Sequence, residues 1–209
     1  MRKSSKAAAP VIGSQGSLDD LAKAAQDCKA CDLWRTATQT VFGKGEGPHP
    51  KLMLIGEQPG NSEDLAGSPF VGPAGKLLDQ ALEQAGIDRR AAYVTNVVKH
   101  FKWEPRGKRR IHKKPNSEEI AACRPWLDAE IAAIAPRVIV CLGATAAQAL
   151  LGKGFRVSKQ RGQRVASALA PYVTATVHPS SILRAPDDEA RRREMNLFVA
   201  DLKTVADLL

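Results

Sequence analysis

Lys51-Leu52-Met53-Leu54-Ile55-Gly56-Glu57-Gln58-Pro59-Gly60 is the stretch that decides the fold. An apolar run that stops at a glycine and a polar turn reads as a strand delivering side chains to its carboxyl end. Three further runs have the same form: Ala92 to Val98, Arg137 to Leu142 ending in Gly143, and Tyr172 to Val177 ending in His178. Between them Ala74 to Gly86, Ser117 to Ile134 and Ala144 to Leu151 carry apolar residues at helical spacing, and Ser117-Glu118-Glu119-Ile120 has the form of a capped helix start. Asp187 to Leu209 is a last amphipathic helix, with Met195, Phe198, Val199, Leu202 and Val205 on its core face. Strands alternating with helices describe an α/β chain with a parallel sheet flanked by helices. The expectation is a three-layer αβα sandwich around a four-stranded parallel sheet. Pro105 to Pro115 and Gly152 to Gly162 read as basic loops without periodicity, and no internal repeat is visible.

With 209 residues, 44% of them hydrophobic, the chain can bury one sizeable core. Residues 17–209 are expected to form a single domain behind a flexible tail, residues 1–16, rich in Ser, Ala, Lys and Gly. That tail lacks the apolar stretch of a secretory signal, and no 18-residue apolar run occurs to span a membrane. The expected setting is therefore cytoplasmic and nucleoid-associated, with the protein a monomer. Between Lys99 and Lys114 stand eight Lys or Arg against one acid, Glu104, a net of +7 out of +9 for the chain. Such a cluster attracts a polyanion such as nucleic acid, and His112 sits inside it. Without further context the segment is a solvated charge run with an incidental histidine.

A cytoplasmic setting keeps thiols reduced, so the four cysteines need another explanation. Cys28-Lys29-Ala30-Cys31 is a Cys-x2-Cys pair, Cys123 falls in a helix and Cys141 in the strand after it. Two paired and two distant thiolates can close a tetrahedral site that zinc or an iron–sulfur cluster accepts, and spacing does not separate the two. Taken singly, Cys141 is an ordinary buried strand cysteine and Cys123 an ordinary helix-face residue.

In open parallel sheets ligands bind beyond the carboxyl ends of the strands. The polar groups placed there are Glu57 and Gln58, Asn96, Gly143-Ala144-Thr145, and His178-Pro179-Ser180-Ser181. Each has a plain structural reading as well: a carboxylate capping a turn, an amide tying a loop, a histidine ahead of a Pro-Ser turn.

Taken together, Gly56-Glu57-Gln58-Pro59-Gly60, the loop from Gly67 through Phe70 and Gly72 to Gly75, Thr95-Asn96-Val97-Val98 and His178 through Arg184 resemble the family 4 uracil-DNA glycosylases. The resemblance covers nearly the whole globular part. It implies the four-stranded sheet between helices and a [4Fe-4S] cluster on Cys28, Cys31, Cys123 and Cys141. Lys108-Arg109-Arg110-Ile111-His112 is similar to the inserted loop of the uracil-DNA glycosylase X subgroup, whose members become covalently trapped on DNA through the loop histidine. His100, after Thr95-Asn96-Val97-Val98-Lys99, stands where many relatives carry another residue and has no assigned role.

The resemblance implies a role for each of these positions. Phe70 stacks on the base and Asn96 reads the uracil edge, with an acceptor for N3–H and a donor for O4, the reverse of what cytosine presents. Backbone groups near Gln58 hold the other side of the base. His178 donates to uracil O2, while Glu57 faces the sugar cation that forms as the glycosidic bond breaks. His112 takes the place of water and attacks C1′, kept neutral by Lys108, Arg109, Arg110, Lys113 and Lys114. Lys108, Arg109, Arg110, Lys113, Ser180, Ser181 and Arg184 are the expected phosphate contacts. The substrate is uracil-containing DNA, single-stranded or double-stranded. Two other readings stay open: a hydrolytic glycosylase in which the basic loop only binds phosphate, and a non-catalytic iron–sulfur nucleic-acid-binding module.

Overall fold

Leu52–Gly56 is buried at every position and hydrogen-bonds a parallel strand on each side, which is why its sequence does not alternate. In this computed structural model, which describes residues 17–209, it is the second strand of the chain. The order is α1 (Leu18–Gln26), β1 (Lys44–Gly45), β2 (Leu52–Gly56), α2 (Asn61–Ala66), α3 (Pro73–Gln84), β3 (Ala92–Asn96), β4 (Trp103–Arg106), β5 (Arg109–His112) and α4 (Ser117–Ile134). Then follow β6 (Val138–Leu142), α5 (Ala144–Leu151), α6 (Val157–Gln160), β7 (Tyr172–Thr176), α7 (Pro179–Leu183) and α8 (Asp188–Ala206), with 3-10 turns at Asp32–Arg35 and Arg89–Ala91. The tail expected over residues 1–16 lies outside the described residues.

The sheet order is β1-β3-β2-β6-β7. The four expected strands are present and parallel, but the sheet has five strands and is mixed, because β1 adds an antiparallel edge beside β3. Two residues, one a lysine and one a glycine, carry no strand pattern of their own; pairing with Tyr93 and Val94 defines them. Each strand's alternate residues face opposite layers. Met53, Ile55, Ile139, Cys141, Val173 and Ala175 pack with α1, α4 and α5, while Leu52, Leu54, Val138, Val140 and Leu142 pack with α3, α7 and α8. The long helices obey their sequence signals. α4 begins at Ser117 behind a capping box formed by Asn116 and Glu119, and α8 buries Phe198, Val199, Leu202 and Val205.

The two basic loops are more ordered than their sequence suggests. Pro105 to Pro115 holds most of the β4–β5 hairpin, which starts at Trp103, pairs that residue with His112 and turns at Gly107, and Gly152 to Gly162 contains α6. A hairpin standing out from the sheet, with Glu104, Pro105 and Arg106 all exposed, has no buried face to impose alternation. Between the end of β3 and α4, Lys99 and Glu130 form an ion pair that is 1% and 0% exposed. Glu130 also accepts from Tyr93 Oη, Thr95 Oγ1 and the Gly43 N–H, and the Lys99 ammonium also donates to the Asn96 carbonyl at 2.7 Å.

Candidate functional site

β2 is the first of the parallel strands, and the chain goes from it to β3 on one side and later crosses to β6 on the other. The carboxyl ends of β2 and β6 therefore form a switch point, where the diverging loops leave a crevice. A cavity of about 560 Å³ opens there, walled by Glu57, Gln58, Phe70, Asn96, His112, Thr145, His178, Ser180 and Arg184. Elements far apart in sequence thus bring to one pocket the acid, the amide, the aromatic ring and both histidines expected to act together.

Gly56 explains how the floor is built. A Cβ on it would lie 2.4 Å from Asn96 Oδ1 and 2.9 Å from Phe70 Cζ, so the amide and the ring close over a backbone that only glycine provides. Phe70 itself is held at φ +55°, a left-handed conformation costing a residue with a Cβ about 1–2 kcal/mol. Its carbonyl lies against Gly75, where a Cβ would approach to 1.7 Å. The ring stacks near-parallel to His178, at 6.0 Å between centroids.

His178 is the N-cap of α7, and its Nδ1 accepts the Ser180 N–H at 3.2 Å and lies 2.8 Å from Ser180 Oγ. Burial, then Arg184 and His112, push the imidazole down to about 4, so it is neutral at pH 7. With Nδ1 committed as acceptor, the proton of the neutral ring sits on Nε2, leaving an N–H donor for the pocket. Ser180 orients this ring and Ser181 Oγ donates to the His178 carbonyl, so both serines serve the cap.

Across the pocket, Thr145 Oγ1 donates to Glu57, whose other oxygen lies 3.4 Å from His112 Nε2. His112 stays below the ordinary histidine range although half its side chain is open; burial is the main cause, Glu57 opposes it and Arg184 reinforces it. The cation acting on the ring is thus Arg184 of the His-Pro-Ser segment, not the basic residues of the hairpin. Those residues have other surroundings. Lys108 and Arg109 are exposed at the turn, and Lys113 pairs with Glu104 at 3.0 Å on the open surface.

Arg110 differs most from the phosphate contact expected of it. Its guanidinium turns inward and donates to Asp64 at 2.6 Å, to Thr38 Oγ1 at 3.1 Å and to Asn61 Oδ1 at 2.7 Å, with the Phe101 and Trp103 rings each 5.5 Å away. Asp64 is 0% exposed, so the pair latches the hairpin onto α2. Gln58 secures the other end. Its side chain accepts the Lys102 N–H and donates to the Lys102 and Lys113 carbonyls, bracketing the base of the hairpin.

The profile of the uracil DNA glycosylase superfamily matches residues 42–203. The chain is 35% identical over 206 residues to the type-4 uracil-DNA glycosylase of Archaeoglobus fulgidus, covering 92% of this chain and 93% of that protein. It is 41% identical over 166 residues to the type-4 uracil-DNA glycosylase of Thermotoga maritima, covering 79% and 82% respectively. With the enzyme of the same name from Sulfurisphaera tokodaii it shares 37% over 182 residues, covering 82% and 78%. The chain belongs to the uracil-DNA glycosylase superfamily. In this glycosylase-superfamily chain the matched region runs from just before β1 into α8 and includes every pocket residue named above.

The cysteines divide three to one. The Cys123 thiol is pushed up to about 12, mainly by burial, and the charges of Cys28 and Cys31 act on it; Cys28 likewise acts on Cys31. The Trp126 indole N–H points at Cys28 Sγ (3.1 Å) and the Lys99 backbone N–H at Cys123 Sγ (3.2 Å). Donors aimed at sulfur are what a metal-bound thiolate needs. Cys141, expected as the fourth member, does not join them. It pairs with Ile55 and Ala175 inside the sheet, and burial alone raises its thiol. Among the described residues no three His, Cys, Asp or Glu stand at single-ion spacing. Thiols with N–H groups aimed at two of them are a donor set that zinc and an iron–sulfur cluster both accept.

Sequence assigns no role to Asp64, the latch for Arg110, or to Glu63, and marks Thr145 only by its place in the segment after β6. Glu63 accepts the Gly60 and Gly72 N–H groups and so ties the first site loop to the Phe70 loop. For Thr145 the signal was present, because it directly follows β6. For Asp64 there was none beyond an acid in the first turn of a short helix.

Proposed function

We propose that this chain excises uracil from DNA and then captures the resulting deoxyribose on His112. The observation carrying the reading is the His112 imidazole at the pocket wall, beside Glu57 and opposite Asn96 and His178. The flipped base stacks on Phe70 and its edge meets the Asn96 amide. As the C1′–N1 bond breaks, its electron pair leaves with uracil, and His178 Nε2–H donates to the developing charge on O2. A donor preorganised in this way is worth about 3–4 kcal/mol in the transition state. The Glu57 carboxylate, fixed by Thr145, faces the positive C1′. The neutral His112 ring gives its lone pair to C1′, a C–N bond forms, and the ring sheds its N–H proton, for which Glu57 is the adjacent acceptor. Lys108, Arg109 and Arg184 are left exposed for phosphate; Arg110 is not.

Cys28, Cys31 and Cys123 would hold the [4Fe-4S] cluster that the family resemblance implies. There it would act as a staple between the segment after α1 and helix α4.

The test is a denaturing gel of the protein mixed with uracil-containing single-stranded DNA. A shifted band that survives boiling is expected, and His112→Gly should convert it to free uracil plus an abasic strand. Free uracil from the unmodified protein, with no adduct, is the signature of the second reading, a hydrolytic glycosylase, for which the similarity to type-4 enzymes speaks. Neither product would leave only a nucleic-acid-binding module.

A further inference from the structure

Lys99 is a long cationic side chain buried almost completely, and it does not line the uracil pocket. All three N–H donors of its ammonium are in use: to Glu130 at 2.5 Å, to Thr95 Oγ1 at 2.6 Å and to the Asn96 carbonyl at 2.7 Å. Glu130 supplies the compensating charge, and is itself held by Tyr93, Thr95 and the Gly43 N–H. The third contact of the ammonium thus reaches the main chain of a residue whose side chain walls the pocket.

β1 pairs only with Tyr93 and Val94, so no strand lies beside the carbonyl of Asn96. The Lys99 ammonium takes the place of that neighbour. The same peptide unit is fixed at its other end, where the Val97 N–H donates to the Gly56 carbonyl at 2.9 Å. With both polar ends held, the peptide plane cannot rotate, and the direction in which Asn96 projects is set with it. The Asn96 amide makes no hydrogen bond of its own among the described residues; it closes over Gly56, where a Cβ would lie 2.4 Å from Oδ1. The backbone behind it therefore aims it. A neutral donor would satisfy a carbonyl, whereas an ammonium holds it about twice as strongly. The charge pair that this requires is one that apolar residues of similar size often replace without loss of stability, so the fold alone does not account for it.

We infer that Lys99 is a positioning residue for uracil recognition: backed by Glu130, its ammonium clamps the peptide after Asn96 and so aims the amide at the edge of the base. The inference rests on the uracil reading proposed above and adds to it the group that holds the reader in place. Lys99 touches neither base nor sugar. Losing it leaves the Asn96 amide present but spread over several directions, which weakens its contact with the bound base more than it slows bond breaking.

The experiment uses the full chain, with two readouts: free uracil titrated into nitrogen-15-labelled protein, followed by the Asn96 side-chain amide signals, and single-turnover uracil release from a uracil-containing strand. Lys99→Met with Glu130→Gln removes both buried charges and the donor to Asn96. It should weaken uracil binding by about 10-fold, double or broaden the Asn96 amide signals, and raise the half-saturating concentration more than it lowers the maximal rate. Tyr93→Phe takes one bond from Glu130 but leaves the Asn96 carbonyl clamped, so it should lower the urea midpoint and keep uracil binding within about twofold. Unchanged binding in the double variant overturns the inference, and so does an equal loss in both variants, since stability alone would then account for it. If the double variant does not fold, the unmodified protein decides: the shielded Lys99 ammonium signal should move as uracil is added, and a signal that stays in place overturns the clamp. An unmodified protein that neither binds nor releases uracil overturns the functional reading and this inference with it.

Discussion

Replacing Arg110 with glutamine should separate uracil release from capture. The guanidinium is 19% exposed and its partner Asp64 is 0% exposed, so the substitution strands a carboxylate without its cation. Breaking a buried pair typically costs 3–5 kcal/mol. Two features place this pair near about 3: part of the arginine reaches solvent, and Asp64 keeps the Thr38 N–H at 3.0 Å. The loss falls on the contact between the hairpin and α2, because the three acceptors, Asp64, Thr38 and Asn61, all lie outside the hairpin. About 3 kcal/mol is a factor of roughly 10² in the ratio of latched to unlatched hairpin. His112 is two residues along the same strand and moves with it. Asn96, Phe70 and His178 belong to other elements and stay in place. Single-turnover assays on uracil-containing oligonucleotides should show adduct formation slowed by about 10- to 100-fold, with uracil release changed less than about threefold. Arg110→Gln with Asp64→Asn should recover part of the stability, as removing both charges relieves the stranded one. An Arg110→Gln protein that forms adduct at the original rate would refute the latch, and so would equal loss of release and capture.

Asn96→Asp should reduce the preference for uracil over cytosine by about 10- to 100-fold, the size of one bidentate base contact, measured as relative excision rates. His178→Ala should slow uracil release by about 10²–10³-fold, and the loss should be the same from pH 6 to 8 because the ring is already neutral there. Capture should follow the protonation of His112. Its pKa lies below the ordinary 6.5, so adduct yield should be full at pH 7 and fall only on acidification below that value, as the ring gains a proton and loses its lone pair. Glu57 raises that pKa, so Glu57→Gln should move the acid limb to lower pH; a shift upward would contradict the pairing. Lys99→Met should destabilise the fold by about 3–5 kcal/mol in urea unfolding, with partial recovery on adding Glu130→Gln.

The parallel strands and long helices were legible because each has a face, or two, that must be buried, and burial writes a period into the sequence. Glu57, Asn96 and His178 were legible because they follow such runs directly. The hairpin was not. Its two strands are largely exposed, and what latches them is a side-chain contact from Arg110 to a helix residue 46 positions earlier, which no local pattern records. Reading Arg110 as a phosphate contact followed from counting charge without knowing which way it pointed. The cysteines show the same limit. Four thiols suggested a set of four, yet a strand cysteine whose side chain faces a helix layer packs as an apolar residue, and its spacing from Cys123 says nothing about distance across the sheet. The role of His112 was legible only in outline: its nearness to Glu57 depends on the hairpin latch, and its neutrality on burial and a cation from the far end of the chain.

Gly56, Phe70, Gly75 and Asn96 are mutually interlocked, each occupying the space that a change in another would need. A methyl group at Gly56 meets the amide and the ring at once, and one at Gly75 meets the Phe70 carbonyl. Single substitutions there have no smooth path, so the floor of the pocket can change only as a block. The hairpin is less constrained, since Glu104, Pro105, Arg106, Lys108 and Arg109 are all exposed. On the function proposed above, changes in the hairpin would edit the fate of the sugar, water or histidine, and leave the floor that meets the base untouched.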